Sequence, residues 1–298
     1  TDRWCDEACE KWYGSARKKP AHFSEPIVAF RRGEPGALEE LLRLAVMPDE
    51  LAPAIARASA LSELAAAGTL RALPTAKGVL DNVDEDPIVR AAAINLFMGV
   101  SPAEIRKSLM PYIDDPSRLV RSEATRVLVT SGAYQTLRGA EQTRVDLALR
   151  EVQAALMSAN DRAGAHMGWA MLCEGQGRYD EAIKAYETAI RVEPEMTGGR
   201  TNLASLLERL TRELPPVQAA QFMQRVAELR AAELPLLGRD ASLAPKNASV
   251  QYRYGLALYL AGQMDEAMER LNRAVELEPE VSDFRQARDL LREKLQQQ

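Results

Sequence analysis

Residues 163–196 read AGAHMGWAMLCEGQGRYDEAIKAYETAIRVEPEM, and residues 248–281 read ASVQYRYGLALYLAGQMDEAMERLNRAVELEPEV. Both stretches are 34 residues long and carry matching residue types at matching offsets. The aligned pairs are Trp169 with Tyr254, Cys173 with Leu258, Gly177 with Gly262, Asp180 with Asp265, Ala189 with Ala274 and Pro194 with Pro279. A unit of this length that returns almost position by position indicates a repeat architecture, in which each unit buries its apolar face against its neighbours.

This unit, with small residues at fixed offsets and a proline near its end, resembles the tetratricopeptide repeat. The resemblance implies stacked helix pairs whose first helices line a concave groove. A further copy begins normally at Thr197, but the next copy starts only at Ala248, 51 residues later. For the expansion between them we expect one elongated helix that Pro235 ends or kinks, followed by a short helical segment before Pro245.

A different period occupies residues 37–130. Helix openings recur with arginines at Arg57, Arg90 and Arg121, which are 33 and 31 residues apart. Two of these openings begin with Asp-Pro, at Asp86 and Asp115, and this pair suits an N-cap followed by the first helical position. The pattern is similar to short HEAT repeats. A half-buried arginine needs a partner, so we expect each of the three to pair with a carboxylate of the neighbouring unit rather than to bind a ligand.

These patterns together predict an all-α fold, a right-handed α-solenoid of HEAT-like units followed by tetratricopeptide repeats. We expect one continuous core across the junction between the two repeat types. Trp4 and Trp12 are predicted to cap the exposed end of the array. The predicted divisions are an N-terminal helical cap (1–36), the HEAT-like repeats (37–135), the tetratricopeptide array (136–298), its expanded second unit (197–247) and a C-terminal capping helix (282–298).

Composition excludes several functional classes. The chain has 38 basic and 43 acidic residues, a net charge of −5, so it lacks the basic footprint of a nucleic-acid-binding protein. No apolar run approaches the 18 residues of a membrane span. Three cysteines (Cys5, Cys9 and Cys173) are too few for a disulfide framework. The sequence also shows no set of four nitrogen or sulfur ligands that would bind zinc. We therefore expect no metal and no cofactor.

No catalytic constellation stands out either. The chain has two histidines, His22 and His166, and neither lies in a pattern that would activate a serine or cysteine nucleophile. Gly175 and Gly177 fall in a turn between repeat helices, where glycine supports close packing rather than phosphate binding. The prediction is a protein that is not an enzyme.

The tetratricopeptide resemblance also implies a binding surface for a protein or peptide partner. The positions that face the groove in that family give these residues: Met167, Met171, Glu174, Thr201, Asn202, Ser205, Arg209, Tyr252, Arg253 and Tyr259. Methionine adapts to irregular apolar surface, and tyrosine and arginine are enriched at binding hot spots. The alternative is that Met167 and Met171 are only covered by a neighbouring element. Asn202 resembles one residue of the carboxylate clamp of chaperone-binding repeats, but Met167 and Met171 replace other clamp residues, so chaperone-tail binding is not expected.

A wider resemblance concerns the order of segments. The order of Trp12-Tyr13-Gly14, His22-Phe23, HEAT-like units and tetratricopeptide repeats looks like the tail of bacterial multihaem c-type cytochromes. It implies, as an alternative function, an accessory tail that docks a haem-bearing region or redox partner, in the periplasm or otherwise outside the cytoplasm; a cytoplasmic location is the other possibility. The chain departs from that family in having no Cys-x-x-Cys-His motif. Since residues 1–9 carry no leader, we expect a removed signal or a start within a longer protein.

Overall fold

The computed structural model of the chain describes residues 2–14 and 22–296. Within these ranges the chain forms sixteen α-helices and no β-strand. The predicted all-α repeat solenoid is confirmed. None of the described helices combines the length and the apolarity that crossing a membrane requires.

The N-terminal region contains α1 (Asp2–Tyr13) and α2 (Ser24–Arg31). Helix α1 carries both Trp4 and Trp12. The prediction that its two tryptophans cap the array is wrong, because Trp4 and Trp12 are 67% and 65% exposed and cover no core. Helix α2 takes that place, since its Ile27 and Phe30 pack against the main hydrophobic cluster.

The region predicted as HEAT-like (residues 37–135), for which we keep that label, contains six α-helices, and three of the links between them include a short 3₁₀ segment. Successive second helices lie side by side, so that α4 contacts α6 and α6 contacts α8. The bounds are α3 (Ala37–Ala45), α4 (Ala54–Ala66), α5 (Leu73–Asp81), α6 (Pro87–Ile94), α7 (Pro102–Leu109) and α8 (Arg118–Thr130).

Helix starts in this region follow the predicted chemistry, with one exception. Asp86 Oδ1 accepts a hydrogen bond from the backbone N–H of Ile88 at 2.9 Å, as an N-cap should. Helix α8, however, begins at Arg118 and not at Pro116. The buried Asp115 carboxylate accepts from the backbone N–H of Ser117 at 2.9 Å, as Asp86 does from Ile88, and it also accepts from the guanidinium of Arg90 at 2.6 Å. Asp115 thus satisfies both a backbone N–H before α8 and a buried arginine. The N-cap residue of α8 is Ser117, so the predicted start of this helix is two residues too early.

The three repeated arginines pair across units as predicted. Arg57 donates to Glu85 at 2.6 Å, Arg90 to Asp115 at 2.6 Å and Arg121 to Glu151 at 2.8 Å. In each pair the carboxylate belongs to the following unit. The arginines therefore fasten consecutive units to one another, and the structural interpretation of these residues is confirmed.

The remaining eight helices form the part of the chain that the sequence predicts as a tetratricopeptide array. The core is continuous across the junction, as expected, because one cluster of buried residues extends from Leu41 to Leu172. The bounds are α9 (Gly139–Met157), α10 (Ala163–Gln176), α11 (Tyr179–Val192), α12 (Gly199–Leu210), α13 (Pro216–Leu243), α14 (Ala248–Leu260), α15 (Met264–Leu277) and α16 (Ser282–Gln296).

The expansion in the second repeat is one 28-residue helix, α13. Helix α13 continues past Pro235, so the prediction that it ends there, and that a separate short segment follows before Pro245, is wrong. Helix α13 packs on α12 and on α14, and the buried carboxylate of Glu233 accepts from the backbone N–H of Gly198. This packing on both sides offsets the hydrogen bond that a proline removes from the helix interior.

The first and last units also meet. A Cβ added to Gly33, which follows α2, would lie 2.6 Å from Oε1 of Glu280, in the turn before α16. The two residues are 247 positions apart in the sequence. The array therefore curves until its ends touch.

Candidate functional site

An open groove of about 420 Å³ lies where the HEAT-like and tetratricopeptide parts join. We call it the junction groove. The C-terminal end of α8 and the following 3₁₀ segment (Ala133–Thr136) form one side, and α12 forms the other. The lining residues are Thr130, Gly132, Gln135, Met171, Glu174, Gly175, Tyr179, Tyr186, Asn202, Ser205 and Arg209.

Five of the ten predicted binding residues meet in this groove: Met171, Glu174, Asn202, Ser205 and Arg209. Met171 projects from α10 and is 44% exposed, so its apolar side chain is accessible from the groove. Asn202 and Ser205 project from α12 about one turn apart. An exposed apolar centre beside amide, hydroxyl and guanidinium groups is the composition expected of a peptide-binding surface.

Glu174 holds a small hydrogen-bonded network within the groove. Its Oε1 accepts from the hydroxyl of Tyr186 at 2.6 Å, and its Oε2 accepts from Nη2 of Arg209 at 2.5 Å. Burial, together with the bond to Glu174, raises the pKa of Tyr186 above its usual value. The tyrosine thus remains a neutral donor, and both carboxylate oxygens of Glu174 have a protein partner.

This network orients Arg209 toward the groove. The Arg209 side chain is 54% exposed although one of its nitrogens binds Glu174. A guanidinium carries five N–H donors in a rigid plane, so fixing one edge leaves the other donors aimed outward. Glu174 therefore positions Arg209.

The two predicted methionines have different surroundings. Met167 is half-buried and packs into the core of the second repeat, where a Cβ added to Gly198 would lie 3.3 Å from its Cε. The alternative interpretation, that a neighbouring element covers the residue, applies to Met167. Met171, one helical turn further along α10, stays open to the groove.

The predicted residues of the third repeat lie apart from the junction groove. The ring of Tyr252 packs on Phe284 of α16, with ring centroids 4.7 Å apart. The hydroxyl of Tyr259 accepts from Lys294 Nζ at 2.9 Å, also on α16. These two tyrosines thus contact the capping helix. Arg253 is exposed. So is Thr201, whose backbone carbonyl accepts from the hydroxyl of Ser205 at 3.0 Å.

Sequence reasoning missed the groove residues outside the first repeat helices. Gln135 donates from Nε2 to the backbone carbonyl of Gly175 at 2.8 Å, which ties the HEAT-like end to α10. Tyr179 and Tyr186 come from α11, the second helix of its repeat. The spacing of the repeats gives no indication that residues 130–135, which precede the first tetratricopeptide repeat, complete the groove.

A second concave surface runs across the HEAT-like units. Ile55, Ile88 and Leu119 are exposed, and each precedes one of the paired arginines by two residues. They lie on α4, α6 and α8 and line an open trough of about 510 Å³ whose base includes Ala58 and Ala91. We call these three residues the aliphatic ladder. They repeat with the same 33- and 31-residue spacing as the arginines, so the sequence itself contains this periodicity.

Other chemistry-bearing residues form no site within the described ranges. Across residues 2–14 and 22–296, no three His, Cys, Asp or Glu side chains are arranged to hold a metal ion. His22 bonds through Nδ1 to the hydroxyl of Ser24 at 2.7 Å, and His166 through Nε2 to the carbonyl of Asn160 at 2.8 Å. Both histidines have local partners close to them in sequence.

Comparison with protein families supports the repeat assignment. Residues 163–196 and residues 249–280 each match a family model described as tetratricopeptide repeat. The chain carries two tetratricopeptide repeats. They correspond to helix pairs α10–α11 and α14–α15, and the first of them supplies Met171 and Glu174 to the junction groove. No curated protein matches the sequence.

Proposed function

We propose that the chain is a non-catalytic scaffold that binds a peptide or protein segment in the junction groove. The observation that carries the proposal is the convergence of an exposed Met171 with Asn202, Ser205 and Arg209 in one open concavity. Tetratricopeptide repeats are typical of protein-interaction scaffolds, and such a groove on a stack of helices gives a partner a preformed surface.

The groove chemistry favours a partner segment with polar backbone groups and one or more apolar side chains. The amide of Asn202 offers both a donor and an acceptor, as a peptide bond requires. Met171 can adapt its shape to an aliphatic or aromatic side chain. The outward donors of Arg209 suit a carbonyl or carboxylate oxygen of the partner.

The first experiment selects binding peptides from a random-peptide display library on the full chain and measures their affinity for groove variants. Met171→Ala, Asn202→Ala and Arg209→Ala should each weaken binding about tenfold or more, because hot-spot truncations cost at least about 1.4 kcal/mol. Matched controls are Met223→Ala and Arg225→Ala on α13, an exposed methionine and an exposed arginine paired with Glu187. These controls should change affinity by less than about twofold, the range of near-neutral interface positions. Peptides that bind the groove variants as tightly as the unaltered chain would refute the groove assignment.

An alternative is that the chain is an accessory tail that docks a haem-bearing region or redox partner outside the cytoplasm. The exposed tryptophans of α1 support this alternative, since Trp4 and Trp12 leave apolar surface open that a neighbouring region would cover. The reading frame upstream of Thr1 discriminates between the two functions. Several Cys-x-x-Cys-His motifs there would favour the alternative, and a nearby start codon would eliminate it.

A further inference from the structure

The turn that follows α2 and the turn that precedes α16 are in van der Waals contact. A Cβ on Gly33 would lie 2.6 Å from Oε1 and 2.7 Å from Cγ of Glu280. The Glu280 side chain therefore lies directly on the Gly33 backbone. Nothing in the repeat pattern requires these two turns to meet, because they belong to the first and last units of the array.

Charged side chains from both ends of the array lie close to this contact. The guanidinium of Arg31 donates from Nε to Oε2 of Glu63 at 3.0 Å, and its Nη2 bonds the other oxygen. The negative charge of Glu278 also contributes to raising the pKa of Arg31. Burial raises the pKa of Glu278, Glu63 raises it further, and Arg31 opposes the shift. The Arg31 guanidinium on α2 thus interacts electrostatically with Glu63, near the first unit, and with Glu278, near the last unit.

We propose that Arg31, Gly33, Glu278 and Glu280 form a latch that holds the helical array closed and that can release to open its inner surface. The junction groove and the aliphatic ladder both lie on the layer formed by α4, α6, α8, α10 and α12. Closing the ends fixes the curvature of that layer. That the latch regulates partner access rests on the proposed function, whereas the closure itself does not.

The strength of the contact suits reversible closure. The Arg31 side chain is 57% exposed, and exposed ion pairs contribute little and weaken further as salt screens them. A solenoid has contacts mainly between neighbouring units, so a weak contact between its ends does not decide whether the units fold. It decides instead how the folded array is curved.

The first test asks whether the two turns meet in solution. Cysteines are placed at both positions, as Gly33→Cys with Glu280→Cys, in a chain whose native cysteines are replaced by Cys5→Ser, Cys9→Ser and Cys173→Ala. The 2.7 Å between the added Cβ and Cγ of Glu280 is close to the separation of a Cβ and the facing sulfur in a disulfide. Mild oxidation should consume both thiols while the protein remains monomeric.

A matched control separates proximity from backbone strain. Gly36 also has positive φ, but a Cβ there would meet nothing within 4 Å. The pair Gly36→Cys with Glu280→Cys carries the same kind of strain and should keep its thiols. Free thiols in the Gly33 pair, or disulfides only between molecules, would overturn the proposal.

The second test reverses the charges. Arg31→Glu places three carboxylates together and should shift the small-angle scattering profile to a larger radius of gyration and maximum dimension. Adding Glu278→Arg restores the original charge balance and should return the profile to that of the unaltered chain. Arg32→Glu, which reverses a neighbouring arginine paired with Glu34, should leave it unchanged. An unaltered profile in Arg31→Glu, with helical content retained, would refute the latch.

Neither test involves a partner. A failed latch therefore leaves the peptide-binding proposal intact, and a failed groove assignment leaves the latch intact.

Discussion

The backbone of Gly175 lies against the backbone of Val129, so closely that a Cβ on Gly175 would overlap the Val129 carbonyl group, 2.8 Å from its carbon. Val129 belongs to α8, the last HEAT-like helix, and Gly175 to α10, the first helix of a tetratricopeptide repeat. This contact sets the distance between the HEAT-like region and the first tetratricopeptide repeat, and Gly175 also lines the junction groove.

The substitution Gly175→Ala should therefore destabilise the chain by about 1–3 kcal/mol, the range for overpacked sites. The clash is with backbone, so no side-chain rotation can relieve it. Gly164→Ala in the same helix is the control, because a Cβ there meets nothing within 4 Å. It should stabilise by about 0.4–1 kcal/mol, since it lowers the entropy of the unfolded chain. Urea unfolding measures both, and equal shifts in the two variants would contradict the close-contact explanation.

The buried pair of Arg90 and Asp115 should be costly to break. Their side chains are only 4% and 5% exposed, so Arg90→Ala leaves a buried carboxylate without its cation. We expect a loss of about 3–5 kcal/mol in the free energy of unfolding. Arg71→Ala removes an exposed arginine paired with Glu39 and should cost at most about 1 kcal/mol. A similar loss in both variants, measured by denaturant unfolding, would argue against a structural role for the repeated arginines.

Cys173 should be chemically inert in the folded chain. It is buried, and this burial raises its pKa to about 11. At pH 8 about one thiol in a thousand would be ionised. Titration with a thiol reagent at pH 8 should therefore leave Cys173 unmodified until denaturant is added, while Cys5, which is exposed, reacts at once. The variant Cys173→Ala should show no additional thiol on unfolding; a Cys173 that reacts as fast as Cys5 would disprove its burial.

The raised pKa of Cys173 should also lower the stability of the folded chain at high pH. Because folding favours the neutral thiol, the stabilisation is fully present below the unfolded pKa of about 8.5. It is lost as the pH rises through about 11, the folded value. Between these values the unaltered chain should lose more stability than Cys173→Ala, in unfolding curves recorded at each pH.

Removing α16 should cause self-association. Phe284 and Leu291 of this helix are buried against the tetratricopeptide repeat formed by α14 and α15, and deletion of 282–298 would expose Val275 and Leu277 beneath it. Terminal repeats need such a polar cover to remain soluble alone. Light scattering should show association of the truncated chain. The milder variant Phe284→Ala should lose about 3 kcal/mol of stability, and a truncated chain that stays monomeric would contradict the capping role.

Half of the candidate site was predictable from sequence. Met171, Glu174, Asn202, Ser205 and Arg209 were found because position within a repeat determines which way a side chain faces. Tyr252 and Tyr259 occupy equivalent positions, yet α16 lies over them. Their exposure depends on the next helix in the stack, and the repeat pattern of one unit carries no information about its neighbour.

The sequence by itself determined the helices, their pairing into units and the arginine links between units. These features depend on periodicity, helix caps and contacts between neighbouring units, and each of them produces a recognisable pattern within a short segment of sequence. The tertiary structure alone decided that α13 continues through Pro235, that Gln135 completes the groove and that Gly33 meets Glu280. The physical reason is that the path of a solenoid is the accumulated sum of small rotations between units. A meeting of residues 247 positions apart is set by all of those rotations together and by no single stretch of sequence.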